Sequence, residues 1–481
     1  MAVQRLKNYV GGEWVDSGAS QVGEVHNPAT GELIGECPFS TAEEVDGAVR
    51  AAQAAFGEWR RTPVEDRIQP IFRLKALLEE HAQEIAAIVT REHGKTLSES
   101  MGSVRRGIQM VEAAAGAPAM MMGMALEDIA RGIDCESIRQ PLGVAAAIAP
   151  FNFPAMVPLW FAPFAVACGN TFVCKPSERV PFSQRRIFEL IHEAGFPPGV
   201  LNLVNGAHEV VNAFVDHPDI KALSFVGSSP VAEMVYKRGC EKLKRVQALG
   251  GAKNFILVMP DADMDFTLDA VTESAFGCAG ERCLAAANVV AIGGCREELR
   301  AGLAERMAKI RLGDGSQPGV TMGPVISAEH KARILARIEE GIAEGAELVV
   351  DGRDPGVPGN GYFVGPTLFD GVREEMTIAR EEIFGPVLCL LEAPDLDAAL
   401  DMTRRQPLAN ANSIFTTSGK AARQFRYEVP AAMAGVNIGV AAPMSFFSFG
   451  GSKGSFFGDL KAHGREAYDF YTDRKVLISR W

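Results

Sequence analysis

The segment Phe276-Gly277-Cys278-Ala279-Gly280-Glu281-Arg282-Cys283 carries the strongest chemical signal in the chain. A cysteine between a Gly-rich turn and the apolar run 288–292 can stand on the floor of a cleft, with little bulk around its sulfur. The thiolate is the reactive form, with an ordinary pKa of about 8.5, and Arg282 beside Cys283 is expected to favour it. Such a sulfur can attack a carbonyl carbon and hold the resulting acyl group. Taken alone, the residue reads equally as a small buried hydrophobe, the usual fate of a free cysteine, and the chain has nine cysteines. A second group, Lys175-Pro176-Ser177-Glu178, follows the apolar run 171–174, where ligands collect in open α/β sheets. Glu178 can accept from ribose hydroxyls and would repel a 2′-phosphate, which favours NAD over NADP, although Arg179 could offset that repulsion. Gly227-Ser228-Ser229-Pro230 opens a helical stretch, and a helix N-terminus with a serine can hold phosphate. The same four residues also make an ordinary turn, and the Gly-x-Gly-x-x-Gly fingerprint is absent.

These groups need a scaffold, and the periodicity supplies one. Strands are expected at 144–149, 171–174, 200–204, 222–226 and 246–249, with helices at 155–167, 183–194, 209–215 and 231–242 between them. That alternation predicts a parallel sheet covered on both faces, a Rossmann-like nucleotide-binding layout. A second alternation has strands at 255–259, 288–292, 347–350 and 387–391, and helices at 263–276, 297–310, 329–344 and 396–404. Ahead of both, helices are expected from Thr41, over 64–93 and over 98–122. The tail 467–477 reads as strand with clustered aromatics.

Composition narrows the function classes. A chain of 481 residues, 47% hydrophobic and 22% charged, reads as a soluble globular protein of two or three domains. Its net charge of −12 argues against general nucleic-acid or anionic-membrane binding. The cysteines show no metal spacing and the eight histidines no His-Glu-x-x-His pair, so no metal is expected and reduced thiols in a cytoplasm are. Residues 140–174 contain no charge, longer than a membrane span requires. Pro150, Pro154, Pro158, Pro163 and Asn152 interrupt the run, so buried strand, loop and helix are expected instead.

Phe-Gly-x-x-Gly-x-Arg-Cys resembles the nucleophile motif of the aldehyde dehydrogenase superfamily. Pro150-Phe151-Asn152-Phe153-Pro154, Lys175-Pro176-Ser177-Glu178, Phe225-Val226-Gly227-Ser228 and Glu381-Glu382-Ile383-Phe384-Gly385-Pro386 occur in that family's order, and the resemblance runs from about residue 9 to 481. It implies an α/β, aldehyde dehydrogenase-like fold: a Rossmann-like NAD-binding domain (1–122 and 140–249), an α/β catalytic domain (250–458), and small β oligomerisation segments (123–139 and 459–481). It implies Cys283 as nucleophile and Asn152 as oxyanion donor, a role that a loop asparagine need not have. It places Ala149, Phe151, Lys175, Glu178, Arg179, Ser228, Glu382 and Phe384 against NAD, Glu382 and Phe384 at the nicotinamide end. A homo-oligomer, dimer or tetramer, is implied as well.

Hydrolytic members carry a glutamate in Glu-Leu-Gly-Gly that activates water, and the run matched to it here is Gln247-Ala248-Leu249-Gly250-Gly251, with Ala248 at the base position. General-base help is worth roughly 10²–10⁴-fold, so a thiol, with coenzyme A the natural candidate, is expected to take the acyl group. This resembles the acylating methylmalonate-semialdehyde dehydrogenase branch, as do Gly251-Ala252-Lys253-Asn254 and Phe447-Ser448-Phe449. Phe255 departs from it, standing where that branch has histidine. The branch implies a malonate or methylmalonate semialdehyde substrate, with Arg106 and Arg282 receiving its carboxylate. By residue type alone Arg106 reads as a solvated surface charge. The rival readings are a hydrolytic NAD(P)-dependent aldehyde dehydrogenase, a catalytically idle binding protein on this fold, and a cysteine hydrolase.

Overall fold

The computed structural model describes residues 4–481; the first three residues of the domain expected to begin at residue 1 lie outside them. Eight strands form the first sheet, in the order Glu13–Val15, Asn8–Val10, Leu201–Leu203, Thr171–Lys175, Val144–Ile148, Ile220–Val226, Arg245–Leu249, Phe456–Phe457. The four central pairings from Leu201–Leu203 to Arg245–Leu249 are parallel. The chain builds outward from Val144–Ile148 in one direction, then crosses back to lay Ile220–Val226 on its other side. That reversal opens a crevice at the carboxyl ends of these two strands, the place where open α/β sheets bind ligands. The uncharged run 140–174 is this sheet's interior: every residue of Val144–Ile148 and Thr171–Lys175 is buried. Among the described residues no helix is long and apolar enough to cross a membrane.

The second sheet runs Glu347–Val350, Thr367–Asp370, Val387–Ala393, Ala286–Ile292, Asn254–Val258, Ala411–Phe415, Met433–Val436. A third, antiparallel sheet joins Thr472–Arg480, Ile133–Pro141 and Met124–Ala130. It exposes Met124, Leu126, Val476 and Ile478 at 61–69% each, an apolar surface far larger than isolated exposed residues require. Phe456–Phe457 returns to the first sheet beside Arg245–Leu249, so the chain of the second unit is stitched into the first.

Several expected elements resolve differently. The helix expected over 155–167 is a 3-10 turn, Val157–Trp160, followed by a short helix, Ala162–Ala167. Pro158 and Pro163 each sit at the start of a piece, where a missing N–H is harmless, and prevent one continuous ladder. The helix over 64–93 breaks at His81, giving Val64–Glu80 and Ala82–His93. That over 98–122 ends at Ala114, with Ala117–Met120 a separate turn. In the tail, Gly464–Phe470 is helix and only Thr472–Arg480 is strand; the helix buries Ala467, Tyr468 and Phe470 in the first core. Ala411–Phe415 and Thr367–Asp370 have no strand period in sequence because both faces of each are buried.

Candidate active site

The nucleophile turn leaves the helix Met264–Phe276 and precedes the strand Ala286–Ile292. Cys278 and Ala279 have φ of 52° and Gly280 of 74°, three left-handed residues in succession. Such backbone costs about 1–2 kcal/mol for each residue with a Cβ, so neighbours must hold it. Glu99 does: its Oε1 accepts from Cys278 N–H at 2.6 Å and from Arg282 Nη2 at 3.3 Å. The same carboxylate closes the capping box of the helix Leu97–Ala114, its Oε2 accepting from Thr96 N–H and Oγ1–H at 2.9 Å. Gly280 is required by a close approach, since a Cβ there would lie 2.1 Å from the Gly385 carbonyl oxygen. The turn that carries Cys283 is therefore packed directly on the loop that carries Glu382 and Phe384.

Two buried amides fix the nucleophile itself. The Cys283 carbonyl accepts from Asn254 Nδ2 at 2.9 Å and from Asn410 Nδ2 at 2.8 Å. Asn254 Nδ2 also reaches the Ala285 carbonyl at 2.8 Å, and its Oδ1 accepts from Ala411 N–H. Asn254 was legible as part of a motif; Asn410 was not, because its partner is 127 positions away.

Arg282 is shared between three neighbours. Its head lies against Glu99 and the Cys278 sulfur, 3.3 Å from each. Burial pushes the Cys283 thiol up to about 12, the Glu382 charge adds to this, and Arg282 offsets only part. Arg282 thus favours the thiolate, as expected, but burial outweighs it.

Asn152 is 5% exposed and donates from Nδ2 to the Glu281 carbonyl at 3.1 Å. An amide has two such N–H bonds, so a second remains for a substrate oxygen. Its loop is held by Lys95, whose Nζ donates to the Asn152 carbonyl and lies 3.9 Å from the Phe153 ring centre. Lys95 is 1% exposed, and nothing in its sequence context singled it out.

The expected cofactor residues gather along the switch-point crevice. Ala149 extends its strand by donating to the Lys175 carbonyl at 2.9 Å. Lys175 donates to Glu178 Oε2 at 2.9 Å. Burial alone would raise the Glu178 carboxyl, but the Lys175 ammonium more than offsets it and leaves it below the ordinary value. Arg179 points away from Glu178, to Glu329 at 3.4 Å. Ser228 is exposed at the N-cap of the helix Ser229–Glu241, its side chain making no capping bond. Phe151 and Phe384 meet edge to face, ring centres 5.8 Å apart. Glu382 Oε1 accepts from Ala252 N–H at 2.8 Å, and burial raises its carboxyl to about 7. Gly251 leaves it room, because a Cβ there would stand 2.3 Å from Glu382 Oε2. These groups, a lysine–carboxylate pair, a free serine at a helix start and two facing aromatics, suit a dinucleotide.

Arg106 is half-buried, its guanidinium held by the neutral Gln109 Oε1 and Met444 Sδ. Phe255 is buried in the second core. Ala248 is buried in the strand Arg245–Leu249. Strand residues alternate faces, and Ala248 belongs to the apolar cluster with Phe225, Val246 and Ile148. Leu249 lies in the other cluster, the one against which Cys283 packs. Among the described residues no group of three or more His, Cys, Asp or Glu side chains could hold a metal ion.

A parallel sheet with its crevice at the switch point, and a half-buried cysteine just after a left-handed turn, make the frame of a dinucleotide-linked enzyme. The chain belongs to the aldehyde dehydrogenase family, whose sequence profile matches residues 14–477. Over 480 residues it is 52% identical to the malonate-semialdehyde dehydrogenase 2 of Geobacillus kaustophilus, covering 100% of this chain and 99% of that protein. The malonate-semialdehyde dehydrogenase of Halalkalibacterium halodurans is 51% identical over 478 residues, 99% of each chain. The solved methylmalonate-semialdehyde dehydrogenase of Oceanimonas doudoroffii superposes with a TM-score of 0.98 at 44% identity, covering 100% of this chain and 99% of that one. A Sinorhizobium meliloti structure in complex with NAD also gives 0.98, at 40% identity, covering 100% and 98%.

Proposed function

We propose that this chain oxidises malonate or methylmalonate semialdehyde with NAD through a thioester on Cys283, then passes the acyl group to coenzyme A. The β-carboxyl group leaves as carbon dioxide, giving acetyl- or propionyl-CoA. The observation that carries the reading is Ala248, which stands at the position matched to the water-activating glutamate and has no group that could act as a base. A thiol is acidic enough to attack the thioester without that base. The relatives named for malonate and methylmalonate semialdehyde support the substrate class, and the relative solved with NAD supports the cofactor.

In this reading Cys283 attacks the aldehyde carbon, while Asn152 and the Cys283 N–H receive the developing oxyanion. NAD bound in the crevice supplies the hydride acceptor. Lys175 and Glu178 hold its adenosine ribose, Ser228 its pyrophosphate, and Glu382 and Phe384 its nicotinamide end, with Ala149, Phe151 and Arg179 lining the crevice. Arg106, held by neutral groups, takes the substrate carboxylate; Arg282 can join it only by leaving Glu99. Residues 1–122 with 140–249 and residues 250–458 act as the cofactor and catalytic domains. Segments 123–139 and 459–481 form a subunit contact in a dimer or tetramer, supported by the apolar face at Leu126 and Ile478. Nine unpaired cysteines support a reducing cytoplasm.

The test is a rapid-mixing record of NADH. Without coenzyme A the protein should give one burst and stall; adding coenzyme A should restore turnover and yield a CoA thioester. Steady turnover to free acid with no thiol present overturns the proposal in favour of the hydrolytic reading. Ala248→Glu is the variant expected to gain slow hydrolysis.

A further inference from the structure

One buried side chain touches both halves of the chemistry and has no part in the reading above. His330 is the third residue of the helix Ala328–Ala343, whose N-cap Ser327 accepts from the His330 N–H at 3.2 Å. It is 7% exposed. Arg333 Nη2 lies 2.8 Å from His330 Nδ1; a guanidinium only donates, so Nδ1 is the acceptor and Nε2 carries the proton. Burial, with Arg333 and Arg179 nearby, lowers the imidazole to about 4 despite its bond to the Phe384 carbonyl. It is therefore neutral at physiological pH, in that one tautomer.

The Nε2–H faces two acceptors. One is the Phe384 carbonyl at 2.6 Å; the other is Glu281 Oε1 at 3.3 Å. Phe384 has φ of 59°, a conformation unfavourable for a bulky residue and kept only when its surroundings impose it. Glu281 precedes the nucleophile by two positions, its Oε1 accepts from Ile326 N–H at 3.1 Å, and its carbonyl anchors Asn152. A single imidazole thus ties the residue that faces the nicotinamide to the turn that carries Cys283 and the oxyanion donor.

We propose that His330 is a positioning residue for hydride transfer, one imidazole N–H fixing the distance between the Phe384 loop and the Cys283 turn. The inference rests on the reading of Phe384 as the nicotinamide neighbour. It makes a demand that simple packing does not: a donor must sit at the Nε2 position, whatever carries it. Glutamine can present an N–H near that point, leucine fills similar space without one, and asparagine is too short to reach.

The experiment compares His330→Gln, His330→Leu and His330→Asn. It measures the NADH burst with protiated and C1-deuterated semialdehyde, NAD affinity, and thermal midpoint. A misplacement of about 1 Å costs roughly 10²-fold. His330→Leu and His330→Asn should therefore slow the burst by about that factor, with an increased isotope effect and NAD affinity within about 3-fold. His330→Gln should recover most of the rate. A wild-type burst in His330→Leu overturns the inference, as does His330→Gln being no better than His330→Leu. If His330→Leu does not fold, the Gln–Asn pair decides by the same comparison. A wild-type protein that reduces no NAD with any short aldehyde overturns the underlying functional reading instead. Iodoacetamide alkylation of Cys283 then still reads the inference: it should slow in His330→Leu and His330→Asn and not in His330→Gln.

Discussion

Replacing Glu281 by glutamine should change how the stability of the protein depends on pH. Glu281 is fully buried two residues before the nucleophile, its Oε2 3.7 Å from Nε2 of the equally buried His93. Burial raises its carboxyl from 4.5 to about 8, only partly countered by the Ile326 N–H and by Lys95, Arg333 and Arg179. Because the folded value is raised, the stability it protects is fully present below the unfolded pKa and is lost as pH rises toward the folded one. Between about 4.5 and 8 the unfolded state binds fewer protons than the folded state, and stability falls by about 1.4 kcal/mol per pH unit. From pH 5.5 to 8.5 the loss is roughly 3 kcal/mol. Glutamine has no proton to lose and keeps an oxygen for Ile326. Urea unfolding at both pH values and one protein concentration measures the difference. Glu92, raised by burial to about 7, titrates in both proteins and cancels. Wild type should lose about 3 kcal/mol more than Glu281→Gln over that interval. If the two track each other within about 1 kcal/mol, the carboxyl ionises without penalty, and the account of its burial is wrong.

Glu178→Gln should weaken NAD roughly 10-fold and NADP less, because only the former relies on a charge-assisted ribose bond; titrating both cofactors decides, and an unchanged affinity ratio rejects the contact. Asn410→Ala leaves the Cys283 carbonyl with one partner, and should slow the NADH burst about 10-fold and lower thermal stability by about 1 kcal/mol; an unaltered burst would mean Asn254 alone holds the nucleophile. Arg106→Met should raise KM for a semialdehyde at least about 10-fold while sparing an uncharged aldehyde of similar size. An equal effect on both substrates would assign Arg106 to the fold instead. Leu126→Glu with Ile478→Glu should shift the mass in light scattering toward the monomer, and an unchanged mass would place the subunit contact elsewhere.

The sequence alone determined what is covalent or local. The Gly-rich turn before Cys283, the strand–helix alternation ending at Lys175 and Gly227, and the helix start at Thr41 are all short-range patterns, because each is imposed by the periodicity of one element or the needs of one turn. Cys283 and the cofactor crevice could be singled out on that basis, while Asn152 came only with the family resemblance. What the tertiary structure decided is which side chains oppose each other across distant segments. Arg282 adjoins Cys283 in sequence, yet its charge is shared with Glu99, 183 positions away. Ala248 and Leu249 are neighbours in the chain but pack into different cores, since a strand turns successive residues to opposite sides. Asn410, Lys95 and His330 carry no motif at all. Their roles arise from where a buried N–H finds a carbonyl, and a one-dimensional pattern does not record that pairing because it is set by the docking of one sheet against another.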